Sequence, residues 1–167
     1  MTKWILLTLG TLGLALLQTS AVPAFDLLGV GANLLLVVLC CWVVVHGTRD
    51  GMVLAPLAGV WMGLLSIEDL AVSVAAYLPV VLLASLRRPL GIGPGLAWAV
   101  PLVVAATILH FFVIAVSFAI EGSSIDWLAA ITDILLPSVL VNFVVTLPVY
   151  WLIRLPAGRP QPRVVRT

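Results

Sequence analysis

The feature that most constrains this chain is a series of long apolar runs separated by short breaks. Only 9% of its 167 residues are charged, and 63% are hydrophobic. A soluble domain of this size cannot cover its surface with so few polar side chains, so the sequence predicts an all-α integral membrane protein. The runs are apolar on every side instead of alternating, which favours helices over a closed barrel.

The breaks divide the chain into six predicted transmembrane helices. Each break carries turn residues or charge, as at Pro23 to Asp26 and at Glu121 to Asp126. At about 20 residues per crossing, the chain has room for roughly five to seven spans. The predicted spans cover residues 4–22, 27–46, 51–66, 70–86, 95–120 and 127–155.

These spans form one predicted transmembrane domain over residues 1–155. Only Glu68 and Asp69 separate the third span from the fourth, so a re-entrant hairpin is the alternative for that pair. Residues 156–167 are rich in Pro and Arg, which predicts a flexible cytoplasmic tail that contacts anionic lipid headgroups.

Basic residues indicate the orientation of the predicted spans. Lys and Arg are retained on the cytoplasmic side of a membrane, most strongly in short loops. With six spans, all the basic residues fall on one side: Lys3, Arg49, Arg87, Arg88, Arg154, Arg159, Arg163 and Arg166. The one-sided distribution supports an even number of spans and predicts that both termini are cytoplasmic.

The sequence carries none of the motifs expected of a catalytic or metal site. It has no Gly-x-Ser-x-Gly elbow, no His-Glu-x-x-His pair, no phosphate-binding loop and no paired intramembrane carboxylates. His46 lies at a predicted helix end, and His110 has no second ligand nearby in sequence. We therefore predict a protein that is not an enzyme and that has no metal or cofactor.

A ridge of small residues runs along the third predicted span. Gly51, Ala55, Gly59 and Gly63 recur every four residues and so share one helix face. Small residues allow helix backbones to approach closely, which is a main source of association in lipid. The ridge predicts either packing against another helix of this chain or a docking face for the helix of a partner.

Four polar residues of the predicted spans share a similar depth. At about 1.5 Å of rise per residue, Gln18, Asn33, His110 and Asp133 all fall between the outer membrane edge and the midplane. They predict either a hydrogen-bonded cluster that holds helices together or an outward-opening pocket for a small ligand. Ionisable groups in a span avoid lipid, so we expect Asp133 to have a polar partner in the bundle, with His110 the leading candidate.

The sixth predicted span carries a polar stripe. Ser138, Asn142 and Thr146 recur at i, i+4 and i+8, so they lie on one face of an otherwise apolar helix. On a straight helix this face is about half a turn away from Asp133. The stripe predicts contact with a neighbouring helix, either internal or from a partner.

The order of several segments resembles a known family. These segments are Asp26-Leu27-Leu28, the Gly47-Thr48-Arg49-Asp50-Gly51 turn, Gly59 to Leu65, Arg87-Arg88, and Leu136-Pro137 leading to Asn142 and Arg154. In this order, and over nearly the whole chain, they resemble the bacterial rod shape-determining protein MreD family. The acid that follows Gly-Leu-Leu in the family has two candidates here, Glu68 and Asp69.

The resemblance implies a non-enzymatic scaffold subunit of the cell-elongation complex in the bacterial inner membrane. Such a subunit binds the single-span protein MreC and supports peptidoglycan synthesis and rod shape. It helps to link cytoplasmic MreB filaments to the RodA polymerase and its class B transpeptidase, and it binds no nucleic acid. The family is also similar in architecture to the substrate-binding subunits of energy-coupling-factor transporters, so the alternative is a solute-binding subunit of a vitamin-type transporter.

Overall fold

The computed structural model describes residues 2–20, 29–66, 69–87, 89–93 and 95–157, and the predicted all-helical class is confirmed for them. These residues form six helices. They are α1 (Thr2–Ser20), α2 (Leu34–His46), α3 (Thr48–Leu65), α4 (Leu70–Ser85), α5 (Leu96–Ile120) and α6, which begins at Trp127 and is described as far as Ala157.

Two of the helices are interrupted close to a proline. In α4, Leu78 separates Leu70–Tyr77 from Pro79–Ser85, because Pro79 has no N–H to continue the hydrogen-bond ladder. In α6, Trp127–Ala129 is followed by a π-helical turn over Ala130–Leu135 and then by Leu136–Ala157. Pro137 lies two residues after this turn, and π-helical turns of this kind occur mostly as single turns inside α-helices.

Helix α2 is the centre of the bundle. It packs against each of the other five helices. Most of its residues are buried, and none of the strongly exposed large hydrophobic side chains belongs to it. An all-round apolar helix is stable only when it is surrounded, so α2 serves as the core on which the others pack.

The second predicted span is wrong at its beginning. Residues 27 and 28 lie outside the described residues, but Gly29 to Asn33 are non-helical and α2 begins only at Leu34. The side-chain oxygen of Asn33 accepts a hydrogen bond from the backbone N–H of Leu36 at 3.1 Å, which caps the helix. The other helices closely follow the predicted boundaries. The predicted tail begins inside α6, and its residues 158–167 lie outside the described residues.

Two helices meet the length and hydropathy expected of a membrane span. They are α5, with 25 residues, and α6 over Trp127–Leu155, with 29 residues. Helices α2 and α4 are apolar but shorter.

Candidate functional site

A cavity of about 620 Å³ lies at the end of the bundle where α2 begins. Because α2 begins at Leu34, the described residues that precede it, Gly29 to Asn33, add no further helical turn at this end of the bundle. The polar side chains that line the cavity include Gln18, Asn33, Tyr77, His110 and Asn142. They come from α1, the cap of α2, α4, α5 and α6, so the cavity is built by most of the bundle.

Asn33 is the centre of the polar network beneath this cavity. Its backbone N–H donates to Asn142 Oδ1 at 2.8 Å, and its side-chain nitrogen lies 3.2 Å from His110 Nε2. Its side-chain oxygen accepts from Leu36 N at 3.1 Å and from the Tyr77 hydroxyl at 3.2 Å. One residue therefore ties the beginning of α2 to α4, α5 and α6.

These contacts fix the protonation pattern of His110. The oxygen of Asn33 already accepts two hydrogen bonds, so its amide nitrogen is the donor that faces His110 Nε2. His110 Nε2 must then be an acceptor, and Nδ1 carries the hydrogen that is donated to the Ala76 carbonyl at 3.3 Å. The network therefore holds His110 as the neutral ring in one tautomer.

Gln18 joins α1 to the same region. Its side-chain nitrogen donates to the Ala32 carbonyl at 2.8 Å, and its oxygen accepts from Leu34 N at 2.7 Å. These bonds satisfy the backbone groups that the non-helical segment before α2 leaves without helical partners. Of the four residues predicted to cluster, the structure thus brings Gln18, Asn33 and His110 together.

Among the described residues, Asp133 has no polar partner on another helix, contrary to the expectation. Its side chain is exposed and accepts a hydrogen bond from the hydroxyl of its neighbour Thr132 at 2.8 Å. His110 is bound instead to Asn33 and Ala76. The face of α6 that buries Asn142 points inward, and Asp133, in the π-helical turn, lies outside that face.

We predict that Asp133→Asn does not lower the free energy of unfolding by more than about 0.5 kcal/mol, because the exposed carboxylate accepts its hydrogen bond from the adjacent Thr132 and from no other helix among the described residues. Thermal unfolding of the purified variant measures this change. A loss of several kcal/mol would mean that the carboxylate has an essential internal contact.

The polar stripe of α6 lies inside the bundle. Asn142 and Thr146 are buried, and Ser138 is half-buried at the cavity wall. Asn142 Nδ2 donates to Thr107 Oγ1 at 3.1 Å, and the Thr146 hydroxyl donates to the Asn142 carbonyl. Of the two alternatives for the stripe, these contacts correspond to the internal one, with α2 and α5 as the neighbours.

Sequence reasoning missed two members of the network, Tyr77 and Thr107. A tyrosine within a buried apolar helix usually finds a partner for its hydroxyl, which was a usable signal. Thr107 lies one helical turn before His110 and so shares its helix face. Neither residue is charged, and neither stands out from composition alone.

The ridge of small residues also packs within the chain. A Cβ added at Gly59 would overlap the backbone of Val74 and would approach the Ser73 carbonyl to 2.9 Å. At Gly63 it would lie 2.8 Å from Leu70 Cα. Gly51 faces the side chain of Val43, and Ala55 is fully buried. The ridge therefore allows α3 to approach α4 along its second half and α2 near its beginning.

An ion pair joins three helices at the opposite end of the bundle. Lys3 Nζ lies 3.0 and 2.8 Å from the two carboxylate oxygens of Asp50, and Trp42 Nε1 lies 3.5 Å from Asp50 Oδ2. Asp50 precedes the predicted third span. Burial alone would raise the pKa of Asp50, but the hydrogen bonds from Lys3 and Trp42 and the charge of Lys3 outweigh it and hold that pKa below its usual value.

We predict that Asp50→Asn lowers the free energy of unfolding by about 1 kcal/mol at neutral pH, a modest value because Lys3 is largely exposed. A carboxyl with a lowered folded pKa contributes its full stability above the unfolded pKa of about 3.9. That contribution is lost as the pH falls through the folded value. The free energies of unfolding of wild type and Asp50→Asn should therefore converge in acid. Arg49→Gln changes an exposed neighbour and is the control, which should unfold as the wild type does at each pH.

Among the residues that the structure describes, no group of three His, Cys, Asp or Glu side chains is placed to hold a metal ion. Cys40 and Cys41 are both free thiols buried in α2. The chemistry of the described site is therefore that of uncharged hydrogen-bonding groups around a cavity.

Comparison of the chain with family models, with curated proteins and with solved structures finds no match in any of the three.

Proposed function

We propose that this chain crosses a lipid bilayer six times. The support is the distribution of exposed apolar side chains, which include Leu6 of α1, Leu64 of α3, Leu82 of α4, Ile120 of α5 and Leu152 of α6. Such a surface around most of a bundle is unfavourable in water and suits hydrocarbon, which supports the proposal.

The short central helix fits this proposal. With 13 residues, α2 is only about 20 Å long at 1.5 Å per residue, less than the thickness of the hydrocarbon core. Irregular backbone at membrane depth is tolerated where protein surrounds it and satisfies its polar groups. The bonds from Gln18 and Asn142 to the segment before α2 meet this requirement.

We propose that both termini are cytoplasmic. Alternation of six helices brings Lys3, Arg49, Arg87 and Arg154 to the end of the bundle that holds the Lys3–Asp50 pair. Arg87 indeed lines a cleft together with Gly47 and Thr48 at that end. The positive-inside rule then assigns this end to the cytoplasm and the cavity to the outer half.

We propose further that the chain is a scaffold subunit of the bacterial cell-elongation complex in the inner membrane, with an MreC-like single-span protein as its partner. The observation that carries this proposal is the order of the segments that resemble the MreD family. Two of these segments have structural roles. The segment from Gly47 to Gly51 joins α2 to the first turn of α3 and presents Asp50 to Lys3, and the Gly59 to Leu65 segment packs against α4. Their residues thus shape the bundle that would receive the partner.

The cavity favours a second candidate, a solute-binding subunit of a vitamin-type transporter. A volume of about 620 Å³ and a lining of apolar walls with a few polar groups are typical of small-molecule sites. The two functions require different partners, since a transporter subunit works with an ATPase-bearing module.

Purification from the native cell in mild detergent, followed by mass spectrometry of the bound proteins, tests the proposal. We expect an MreC-like protein, and with it the RodA polymerase and its transpeptidase, to be enriched over a mock purification from untagged cells. Enrichment of an ATPase-bearing transport module without these proteins would contradict the scaffold function and support the second candidate.

A further inference from the structure

We infer that the cavity at Asn33 binds an uncharged molecule that has an acceptor oxygen at one end and an apolar body. This inference goes beyond the scaffold function by giving the cavity a ligand class. It follows from the lining of the cavity and does not depend on which complex the chain joins. Its test therefore measures occupancy of the cavity and not the identity of partner proteins.

The base of the cavity is rich in amide donors. Gln18 Nε2 donates to Ala32 O, Asn142 Nδ2 donates to Thr107 Oγ1, and the side-chain nitrogen of Asn33 donates to His110. Each amide nitrogen carries two hydrogens, and within the described part of the chain each makes one such bond. One hydrogen of each amide is thus left without a partner among the described residues, and all three side chains line the cavity.

The acceptor atoms of the same amides are already engaged. The Asn33 oxygen accepts two hydrogen bonds, the Gln18 oxygen accepts from Leu34 N, and the Asn142 oxygen accepts from Asn33 N. His110 is occupied at both ring nitrogens. The base of the cavity therefore offers N–H donors in excess, which suits a carbonyl oxygen on the ligand.

The ligand class is uncharged because the described lining of the cavity has no Lys, Arg, Asp or Glu side chain. An ionised ligand would lose its hydration there without gaining a partner of opposite charge, at a large cost in free energy. A neutral carbonyl compound avoids that cost and gains the amide hydrogen bonds.

The remaining wall selects an apolar body. It is formed by large apolar and aromatic side chains, among them Met62, Phe111, Ile114, Phe118 and Ile134. A neutral glyceride from the bilayer and a neutral aromatic amide from the outer solution share the required chemistry. Dioleoylglycerol and benzamide are suitable probes for these two sources.

Protection of an engineered thiol measures occupancy. Ser138→Cys places a thiol at the cavity wall, while the native Cys40 and Cys41 are 0% exposed and contribute little background. At a probe concentration ten times its Kd, we expect alkylation of this thiol to slow about tenfold, in proportion to the unoccupied fraction. The thiol of Leu140→Cys, on the exposed face of the same helix, should be alkylated at an unchanged rate in the presence of either probe.

Benzoate tests the requirement for a neutral ligand, because it is a charged analogue of benzamide with nearly the same shape. We expect benzoate to give no protection. Protection by dioleoylglycerol alone would assign the ligand to the bilayer, and protection by benzamide alone would assign it to the outer solution. Protection by benzoate equal to that by benzamide would overturn the ligand class, and protection by neither neutral probe would overturn the site.

Variants that fill the cavity provide an independent check. In the Ser138→Cys background, Ala115→Phe places a ring at the cavity wall, whereas Val116→Phe places the same ring on the exposed side of α5. Ile134→Trp is a second filler at a half-exposed position that tolerates a larger side chain. Both fillers should abolish protection and Val116→Phe should retain it. Equal protection in all three variants would contradict the inference.

Discussion

Substitution of Gly59 by Ala should lower the free energy of unfolding by about 2–3 kcal/mol, at the upper end of what overpacking costs. The new Cβ overlaps the backbone of Val74 and lies 2.9 Å from the Ser73 carbonyl. Backbone cannot rotate away as a side chain does, so α3 and α4 must separate. Thermal or denaturant unfolding of the purified protein in detergent measures the loss, and Gly59→Leu should give a larger one.

Gly10→Ala is the matched control, since it makes the same chemical change in a helix. A Cβ added at Gly10 meets nothing within 4 Å among the described atoms. Alanine is favoured over glycine in a helix by about 1 kcal/mol, so this variant should be as stable as wild type or more stable. Equal losses at the two positions would mean that close packing of α3 on α4 does not stabilise the bundle.

Asn142→Leu should lower the free energy of unfolding by about 2–4 kcal/mol, because it leaves the part-buried Asn33 N–H and the buried Thr107 hydroxyl without their partner. The change also releases the beginning of α2 from α6. Amide hydrogen exchange at Asn33 and the next residues should therefore accelerate along with the loss in stability. Both measurements are made on the same purified variant.

Ser138→Ala is the comparison for this second substitution. Ser138 lies one turn earlier on the same stripe but is only half-buried. We expect a change within about 0.5 kcal/mol for this variant, as at positions outside a buried network. If Asn142→Leu were as mild as Ser138→Ala, the network at Asn33 would not be what positions α2.

The succession of helices was predictable because apolar runs and charged or proline-containing breaks are local signals. The late beginning of α2 was not. Residues 27–30 are mostly apolar and continue the pattern of the following helix. What sets the beginning of the helix at Leu34 is the cap at Asn33 together with bonds from Gln18 and Asn142, which are distant in sequence. Contacts of this kind do not appear in a periodic pattern.

The height of the candidate-site residues along their helices was predictable, but the side of each helix that faces inward was not. Counting residues along each helix placed Gln18, Asn33 and His110 at a similar height, and the structure brings them together. The same count placed Asp133 there, but height does not specify which side of a helix faces inward. The π-helical turn that contains Asp133 further alters the phase of α6, which counting residues along a regular helix does not anticipate.

The central claim is that the chain crosses the membrane six times with both termini in the cytoplasm, since the orientation of the cavity and the choice of partners depend on it. Topology reporters fused after Arg49, after Arg87, at the C-terminus and within the Glu121 to Asp126 loop test it directly. The first three should report the cytoplasm and the last should report the outer side. A C-terminal reporter on the outer side of the membrane would contradict the account.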